Sequence, residues 1–271
     1  MSSATSAEPP RLLAFDLDGT VVEDGGMRVP ARTRGALARL RAQGVAVAVI
    51  TGRDDVPPDV MDALAPDAVA LHTGSLILRG EEVVHQVSLT AGEIAAVQAR
   101  RPPGGHLLAL TRGCVYADLS PLPDVDAWRT RWALAHRPFM PFDPLPAGGV
   151  MGLWCFHDDI GTWRAGVEAT CPHLPIVGAQ PPYMDNMNVS PAGVHKGMAL
   201  ERVAAALDVP LERAWAFGDS DNDLPMFAVA GRAVQVGTLP LLAGHAHHRV
   251  EDVSALGAWL DAHVMPGLAA R

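Results

Sequence analysis

Two short acidic segments, far apart in the sequence, contain the side chains best suited to chemistry. Asp16 and Asp18 alternate in Phe15-Asp16-Leu17-Asp18-Gly19-Thr20, and three carboxylates crowd into Gly218-Asp219-Ser220-Asp221-Asn222-Asp223. In an extended chain alternate side chains share a face, so Asp16 and Asp18 are expected to project together. If the two segments meet, their carboxylates repel one another unless a cation neutralises them. Such oxygen ligands suit a hard divalent ion, above all Mg²⁺.

Two further residues have the chemistry to hold a phosphoryl group. Thr51 follows an apolar run in Ile50-Thr51-Gly52-Arg53, and its hydroxyl and nearby backbone N–H groups could bind phosphate oxygens. Lys196 precedes an amphipathic stretch over 198–207. A lysine, a threonine, a metal and an aspartate nucleophile are the groups that phosphoryl transfer through an aspartyl-phosphate needs. A second aspartate can protonate the leaving oxygen and later deprotonate water.

The apolar runs that precede these residues predict buried strands of a parallel sheet. The main runs cover 12–15, 45–50 and 214–217, with further candidates at 68–71 and 233–236. A helical pattern over 31–43, preceded by Pro30 and followed by Gly44, supplies the crossover that a parallel pair requires. Ligands of doubly wound sheets bind at the carboxyl ends of the strands. The sequence therefore predicts an α/β fold with a Rossmann-like sheet, closed by a helix over 253–263.

The middle of the chain has a different pattern. Strand candidates at 106–110, 114–117, 150–156 and 174–177 alternate with helical stretches at 90–100, 125–136 and 160–169. Thr111-Arg112-Gly113 predicts a hairpin turn, and the Pro- and Gly-rich segment 137–149 predicts a long loop. We therefore predict an inserted α+β domain over 80–183. The first domain is then discontinuous, built from 11–79 and 184–271.

Composition narrows the class of protein. The 271 residues carry 21 Lys+Arg and 30 Asp+Glu, a net charge of −9, with 49% hydrophobic and 19% charged residues. This composition excludes a disordered chain and argues against nucleic acid as a partner. The three cysteines form no C-x-x-C pair. No apolar run reaches the roughly 18 residues of a membrane helix, and no signal peptide is visible. We expect a cytoplasmic protein with no membrane partner.

The acidic segments, Thr51 and Lys196 together resemble, in order, the four motifs of the haloacid dehalogenase (HAD) superfamily of phosphatases. The form Gly-Asp-Ser-Asp-Asn-Asp, with 193–197 just upstream, is similar to the Cof-type branch. That branch carries a large C2-type α/β cap between the second and third motifs, where the block 80–183 falls. The resemblance spans about residues 11–263. The chain departs from the branch at Thr73-Gly74, where Asn-Gly is usual, and at Thr238, where Asn is usual.

The resemblance implies roles for the matching residues. It assigns metal binding to four aspartates, Asp16, Asp18, Asp219 and Asp223, and phosphate binding to Thr51, Gly52, Lys196 and Asn222. Asp16 is the implied nucleophile, and Asp18 is the implied general acid and base, touching the metal through its backbone carbonyl. Asp219 would ligate the metal directly, and Asp223 would orient metal waters and Lys196. Asp221 is interpreted as a bystander that faces solvent or caps the next helix.

The expected activity is Mg²⁺-dependent hydrolysis of a small organic phosphomonoester, a sugar phosphate above all, through an aspartyl-phosphate. A phosphosugar mutase and a catalytically silent phosphate-binding regulatory module remain alternatives. A dehalogenase is disfavoured, because that chemistry needs neither a second aspartate nor a metal. The expected partner is a small phosphorylated metabolite, and the motifs leave the oligomeric state open. In the cap, Arg112, His157 and Tyr183 are candidate substrate contacts.

Overall fold

A computed structural model describes residues 8–23, 25–119, 124–131, 134, 137–180 and 183–269. The strands are β1 Leu12–Phe15, β2 Ala46–Ile50, β3 Ala68–Leu71, β4 Leu76–Arg79, β5 Glu82–Gln86, β6 His106–Leu110, β7 Val115–Asp118, β8 Phe139–Pro141, β9 Gly152–Phe156, β10 Ile176–Gln180, β11 Tyr183–Val189, β12 Ala214–Gly218, β13 Arg232–Val236 and β14 His248–Val250. The helices are α1 Ala31–Ala42, α2 Pro58–Leu64, α3 Ala91–Gln98, α4 Val125–Arg131, α5 Ile160–Thr170, α6 Lys196–Ala206, α7 Leu224–Val229, α8 Leu256–His263 and α9 Met265–Ala269.

The larger sheet has eight strands in the order β14-β13-β12-β1-β2-β3-β4-β5. Neighbours from β14 to β3 run parallel, and β4 and β5 add an antiparallel edge. β1 lies between β12 and β2, so the two acidic segments and Thr51 follow three adjacent strands. The predicted α/β fold with a doubly wound parallel sheet is confirmed.

Helices cover both faces of this sheet. On one face α1 and α8 pack together, with Leu37 and Leu256 in the same buried cluster. On the other face α6 and α7 bury Leu200 and Phe227 against the small residues of the strands. Burial on both sides explains why these strands read as continuous apolar runs rather than as an alternation.

The smaller sheet has six strands in the order β10-β11-β9-β6-β7-β8. The side chains of β9 alternate between its faces. Leu153 and Cys155 join a cluster with Trp163 of α5, whereas Trp154 packs on the opposite face. That opposite face looks towards the carboxyl ends of the larger sheet, because Trp154 and Asp16 line the same cavity.

The predicted boundaries of the inserted block fall inside the two sheets. β5 pairs with β4 in the larger sheet, and β11 extends the smaller sheet to Val189. We therefore propose that the insertion runs from about 87 to 190 rather than from 80 to 183, and we use "insertion" for that segment. At the boundary Val87 N donates to Ser75 O of the larger-sheet domain at 2.9 Å, whereas Leu89 N donates to Val150 O within the insertion at 2.8 Å.

Several local predictions are confirmed and others are corrected. β6 and β7 form the predicted antiparallel hairpin, closed by the Thr111 N to Cys114 O hydrogen bond of 3.2 Å. The segment predicted as a loop over 137–149 contains β8, which pairs with β7 although it ends in Pro141. The predicted helix 125–136 is described as α4; residues 132, 133, 135 and 136 lie outside the described residues. Over the described ranges, no helix combines the length and apolar character that a bilayer-spanning segment requires.

Candidate active site

Three carboxylates from opposite ends of the sequence meet at the carboxyl edge of the larger sheet. Asp16 follows β1, and its backbone N–H donates to Phe217 O at 3.0 Å, which ties it to the end of β12. One oxygen from each of Asp16, Asp219 and Asp223 lies within 4.8 Å of the others. The structure therefore brings together the side chains of three of the four aspartates predicted to bind metal.

Lys196 lies between two of these carboxylates. It begins α6, is fully buried, and its Nζ lies 2.9 Å from Asp16 Oδ1 and 2.7 Å from Asp223 Oδ1. It is also the only lysine in the sequence. Burial opposes its charged form, but the two carboxylates outweigh burial and raise the pKa of Lys196 above its usual value.

Backbone geometry holds the acidic cluster in place. Asp223 Oδ2 accepts hydrogen bonds from Asp219 N at 2.9 Å and from Ser220 N at 3.0 Å. Gly19 has a φ of +71°, and a Cβ there would collide with the Asp219 carboxylate. Thr20 Oγ1 donates to Asp219 Oδ1 at 2.7 Å. Thr20 closes the first acidic segment of the sequence but was not among the predicted site residues.

Burial and mutual repulsion disfavour the ionised forms of Asp16 and Asp219 in this cluster. Burial raises the pKa of Asp16 to about 7. Lys196 opposes this rise, and the carboxylates of Asp223 and Asp18 add to it. Burial and the carboxylates of Asp16 and Asp223 raise the pKa of Asp219 to about 9. A divalent cation beside these oxygens would favour their ionised forms. The donor set, composed of carboxylate oxygens, fits a hard ion such as Mg²⁺.

Asp18 makes a separate ion pair. Arg53 Nε donates to Asp18 Oδ2 at 2.7 Å and Arg53 Nη2 to Oδ1 at 2.5 Å, while Gly25 N donates to Oδ1 at 2.9 Å. The Asp18 side chain is therefore absent from the three-carboxylate cluster. Arg53 was not among the predicted site residues. Its position two residues after Thr51 is the feature of the sequence that places it near the site.

The predicted phosphate-binding residues lie beside Asp16. Thr51 is buried, and its Oγ1 accepts from Arg53 N at 3.1 Å. Ser220 Oγ donates to Asn222 Oδ1 at 3.1 Å, which orients the amide. A Cβ on Gly52 would lie 3.9 Å from Asn222 Nδ2, so this amide nitrogen and Gly52 are neighbours. Thr51, Gly52 and Asn222 all line one cavity with Asp16.

This cavity has a volume of about 390 Å³ and lies between the carboxyl edge of the larger sheet and the insertion. The insertion contributes apolar, aromatic and polar side chains, including Leu110 and Trp154. Of the three cap candidates, Tyr183 lines the cavity. Arg112 and His157 are not among the described residues that line it.

Polar contacts of Asp221 and Asp54 join the larger-sheet domain to the insertion. Asp221 Oδ2 accepts from Gln180 Nε2 at 2.7 Å and from Gly178 N at 3.2 Å. The expectation that Asp221 faces solvent is wrong, because its side chain is buried against β10. Arg137 Nε lies 2.6 Å from Asp54 Oδ2, in an ion pair whose side chains are 11% and 6% exposed.

Comparison with known proteins identifies a matching family and named relatives of this chain. A model of the haloacid dehalogenase-like hydrolase family matches residues 13–97 and 158–249. An HMP-PP phosphatase from Klebsiella pneumoniae (strain 342) is 28% identical over 279 residues, covering 94% of this chain and 98% of that protein. The pyridoxal phosphate phosphatase YbhA of Escherichia coli (strain K12) is 27% identical, covering 84% of this chain and 88% of that protein.

Solved structures share the whole fold at lower identity. The HAD subclass IIB sugar phosphatase BT4131 superposes with a TM-score of 0.81 at 21% identity, covering 95% of this chain and 99% of that one. BT1666 from Bacteroides thetaiotaomicron superposes with a TM-score of 0.80 at 21% identity, covering 99% and 98%. These likenesses extend across the insertion as well as the larger sheet.

Proposed function

Because this chain belongs to the haloacid dehalogenase-like hydrolase family, we propose that it hydrolyses a small organic phosphomonoester with the help of Mg²⁺. The observation that carries the proposal is the cluster of Asp16, Asp219 and Asp223, with Lys196 between two of its members. Asp16 supplies a nucleophile on the wall of the cavity, the three carboxylates supply a cation-binding set, and Lys196 supplies a fixed, buried positive charge beside them. The named phosphatases among the relatives support the same reaction class.

In the proposed reaction, a carboxylate oxygen of Asp16 attacks phosphorus and the bond to the ester oxygen breaks. Asp18 gives its proton to the leaving oxygen, so that an alcohol departs and an aspartyl-phosphate forms on Asp16. Asp18 then takes a proton from water, which attacks the aspartyl-phosphate and releases inorganic phosphate. Both Asp18 oxygens accept hydrogen bonds from Arg53, so proton transfer requires Arg53 to release one of them.

The remaining residues bind and orient the phosphoryl group. Thr51 Oγ1, Gly52 N, Asn222 Nδ2 and Lys196 Nζ are the proposed donors to its oxygens. Lys196 also restrains Asp16 in the orientation needed for attack, since the two are 2.9 Å apart. Fixed donors of this kind lower the barrier by holding the reacting atoms in line.

Four aspartates are the proposed holders of the cation. Asp16 and Asp219 would bind it through carboxylate oxygens, Asp18 through its backbone carbonyl, and Asp223 through water. When bound, Mg²⁺ supplies positive charge that stabilises the negative charge on the transferring phosphoryl group. The raised pKa values of Asp16 and Asp219 support this assignment, because uncompensated carboxylates favour a cation.

A sugar phosphate is the substrate that we propose first. A cavity of about 390 Å³ is within the range that holds small ligands. The amides of Asn186 and Asn188 on its wall can bond hydroxyl groups, and Trp154 offers a ring for the apolar face of a sugar. The relatives are named for other phosphorylated metabolites, including pyridoxal phosphate, so related substrates belong in the same panel.

The test is release of inorganic phosphate from a panel of phosphomonoesters, with Mg²⁺ and with EDTA. We expect Mg²⁺-dependent release that Asp16→Asn abolishes while circular dichroism and the unfolding temperature stay close to wild type. Retained turnover in this variant would overturn the nucleophile assignment. Conversion of one sugar phosphate into another, without free phosphate, would point to a mutase. Binding without any turnover would point to a regulatory module.

A further inference from the structure

The insertion supplies the wall of the cavity that faces the leaving group, because the proposed phosphate-binding residues all come from the larger sheet and its loops. The polar and aromatic members of this wall are Trp154, Tyr183, Asp185, Asn186 and Asn188. Asp221 lies where this wall meets the acidic cluster. The chemistry of these side chains therefore bears on the part of the substrate beyond its phosphate.

Negative charge dominates the cavity. Among its lining residues within the described ranges, Arg53 carries the one guanidinium, and it is paired with Asp18. Lys196 is fully buried between Asp16 and Asp223, so its charge compensates the acidic cluster rather than the wall formed by the insertion. A cation bound at the acidic cluster would leave the carboxylates of Asp185 and Asp221 beside the leaving group.

Asp221 has an acceptor that the surrounding residues leave unused. Its side chain is 5% exposed. Oδ2 accepts from Gln180 Nε2 and Gly178 N, whereas Oδ1 has no hydrogen-bond partner in the described part of the chain. A buried carboxylate oxygen without a donor costs free energy, and a donor on a bound molecule would remove that cost.

The side chain of Asn186 links the aromatic part of the wall to the Asp185 carboxylate. Trp154 Nε1 donates to Asn186 Oδ1 at 3.2 Å, and Asn186 Nδ2 donates to Asp185 Oδ1 at 3.1 Å. An aromatic face beside carboxylates attracts an ammonium group, through the ring quadrupole and through direct Coulomb attraction. The same wall repels a second phosphate or a carboxylate on the leaving group.

We propose that the leaving group of the substrate carries a protonated amine, or a comparable N–H donor, and that Asp221 is a specificity-determining residue for it. This inference rests on the proposed function, since the amine belongs to the alcohol part of a phosphomonoester. It narrows the substrate from phosphomonoesters in general to amino-bearing ones.

The test compares three hexose-derived phosphomonoesters that carry different charges away from the phosphate; two form pyranose rings, and 6-phosphogluconate is an open-chain acid. Glucosamine 6-phosphate carries an ammonium where glucose 6-phosphate carries a hydroxyl, and 6-phosphogluconate adds a carboxylate. We expect kcat/KM to favour the amino ester over glucose 6-phosphate by about tenfold or more, the size of one charge-assisted hydrogen bond. We expect 6-phosphogluconate to be the poorest substrate.

Asp221→Asn keeps the shape of the side chain and an acceptor for Gln180, but it removes the charge. We expect the preference for the amino ester to fall towards one in this variant. Gln180→Ala removes the same contact between β10 and Asp221 while keeping the carboxylate, and should lower kcat/KM for both esters alike. Asp261→Asn, the matched change in a surface pair with Arg39, should leave the preference unchanged.

A binding measurement separates this inference from the proposed function. Calorimetry with the Asp16→Asn variant and Mg²⁺ reports the affinity for each ester without turnover. Tighter binding of glucosamine 6-phosphate that the second change Asp221→Asn abolishes supports the inference, even if the wild-type protein releases no phosphate. Equal binding of the two sugar esters, or tighter binding of 6-phosphogluconate, overturns it, even if the wild-type protein is an active phosphatase.

Discussion

Replacing Lys196 by methionine tests how the acidic cluster is stabilised. Methionine keeps most of the side-chain volume, so the main change is the loss of a positive charge. That charge lies 2.9 Å from Asp16 Oδ1 and 2.7 Å from Asp223 Oδ1, and all three side chains are buried. Removing one partner of a buried ion pair costs about 3–5 kcal/mol, because the remaining charges lose their compensation.

We therefore expect Lys196→Met to lower the free energy of unfolding by about 3–5 kcal/mol in EDTA at pH 8. The contribution of Lys196 is fully present at this pH. Its folded pKa is raised above the ordinary 10.5, so the contribution is lost only at higher pH. The assay is urea unfolding, and a protein of ordinary stability would still fold at low urea.

Arg39→Met is the matched control. Arg39 lies 2.6 Å from Asp261, at a distance similar to that of the buried pairs, but the arginine side chain is 52% exposed. Surface pairs contribute about 0–1 kcal/mol, so this variant should lose little stability. Since Lys196 is the only lysine, lysine labelled with ¹⁵N should give one side-chain signal, and it should stay protonated beyond pH 10.5.

The pH dependence gives a second check on the same variant. Lys196 opposes the rise in the pKa of Asp16, so its removal should raise that pKa beyond about 7. Lowering the pH from 8 to 5 then protonates Asp16 and should narrow the stability gap between variant and wild type. A loss below 1 kcal/mol, equal to that of Arg39→Met, would refute this account of the cluster, as would a gap that widens in acid.

Three further outcomes follow from the site. Asp18→Asn should lower kcat for alkyl phosphates by roughly 10²–10⁴, the usual contribution of a general acid. The loss of kcat should be smaller for p-nitrophenyl phosphate, because its leaving group departs without a proton. An equal loss of kcat for the two substrates would exclude Asp18 as the general acid. The folded-state pKa values of Asp16 and Asp219 are raised from 3.8 to about 7 and about 9, so in EDTA the protein should lose stability as the pH rises through this range. The increase in Tm that Mg²⁺ produces should therefore grow from pH 5 to pH 9. An increase that is the same at every pH would contradict this account of the cluster. Gly19→Ala should weaken Mg²⁺ binding in calorimetry, because the new Cβ would collide with the Asp219 carboxylate. Gly104 also has a positive φ, +81°, but open space around it, so Gly104→Ala should cost only backbone strain. Equal Mg²⁺ affinity of the two variants would rule out the clash.

The sequence was most informative about the larger sheet, because burial on both faces gives each strand a continuous apolar run that ends in a polar residue. The strands predicted at 12–15 and 68–71 match β1 and β3. By contrast, β5 reads as Glu-Val-Val-His-Gln with each residue at least partly exposed, and β14 has three residues. Edge strands of this kind are fixed by backbone pairing with a neighbour, which leaves little pattern in the side chains.

The same limit applies to the site. Residues in the acidic segments were predictable because chemistry restricts their type and spacing. The partners of Asp18 and Asp221 were not, because each comes from a different element and the pairing exists only after folding. Arg53 reaches Asp18 across 35 residues of sequence, and Gln180 reaches Asp221 across 41. No local pattern in either acidic segment encodes those contacts.

The pairing of charges suggests why this cavity needs bound cations. Lys196 forms ion pairs with Asp16 and Asp223, and Arg53 forms an ion pair with Asp18.

Within the described ranges, Asp219 and Asp221 have carboxylates that form no ion pair with an arginine or lysine at salt-bridge distance. Asp219 belongs to the cluster that fits Mg²⁺, and Asp221 lies where the wall formed by the insertion meets that cluster. Buried charges without compensation are costly, so each position favours a cation brought from outside. On this reasoning the metal and an amino-bearing substrate complete two different parts of one acidic cavity, and binding of both should stabilise the fold more than either alone.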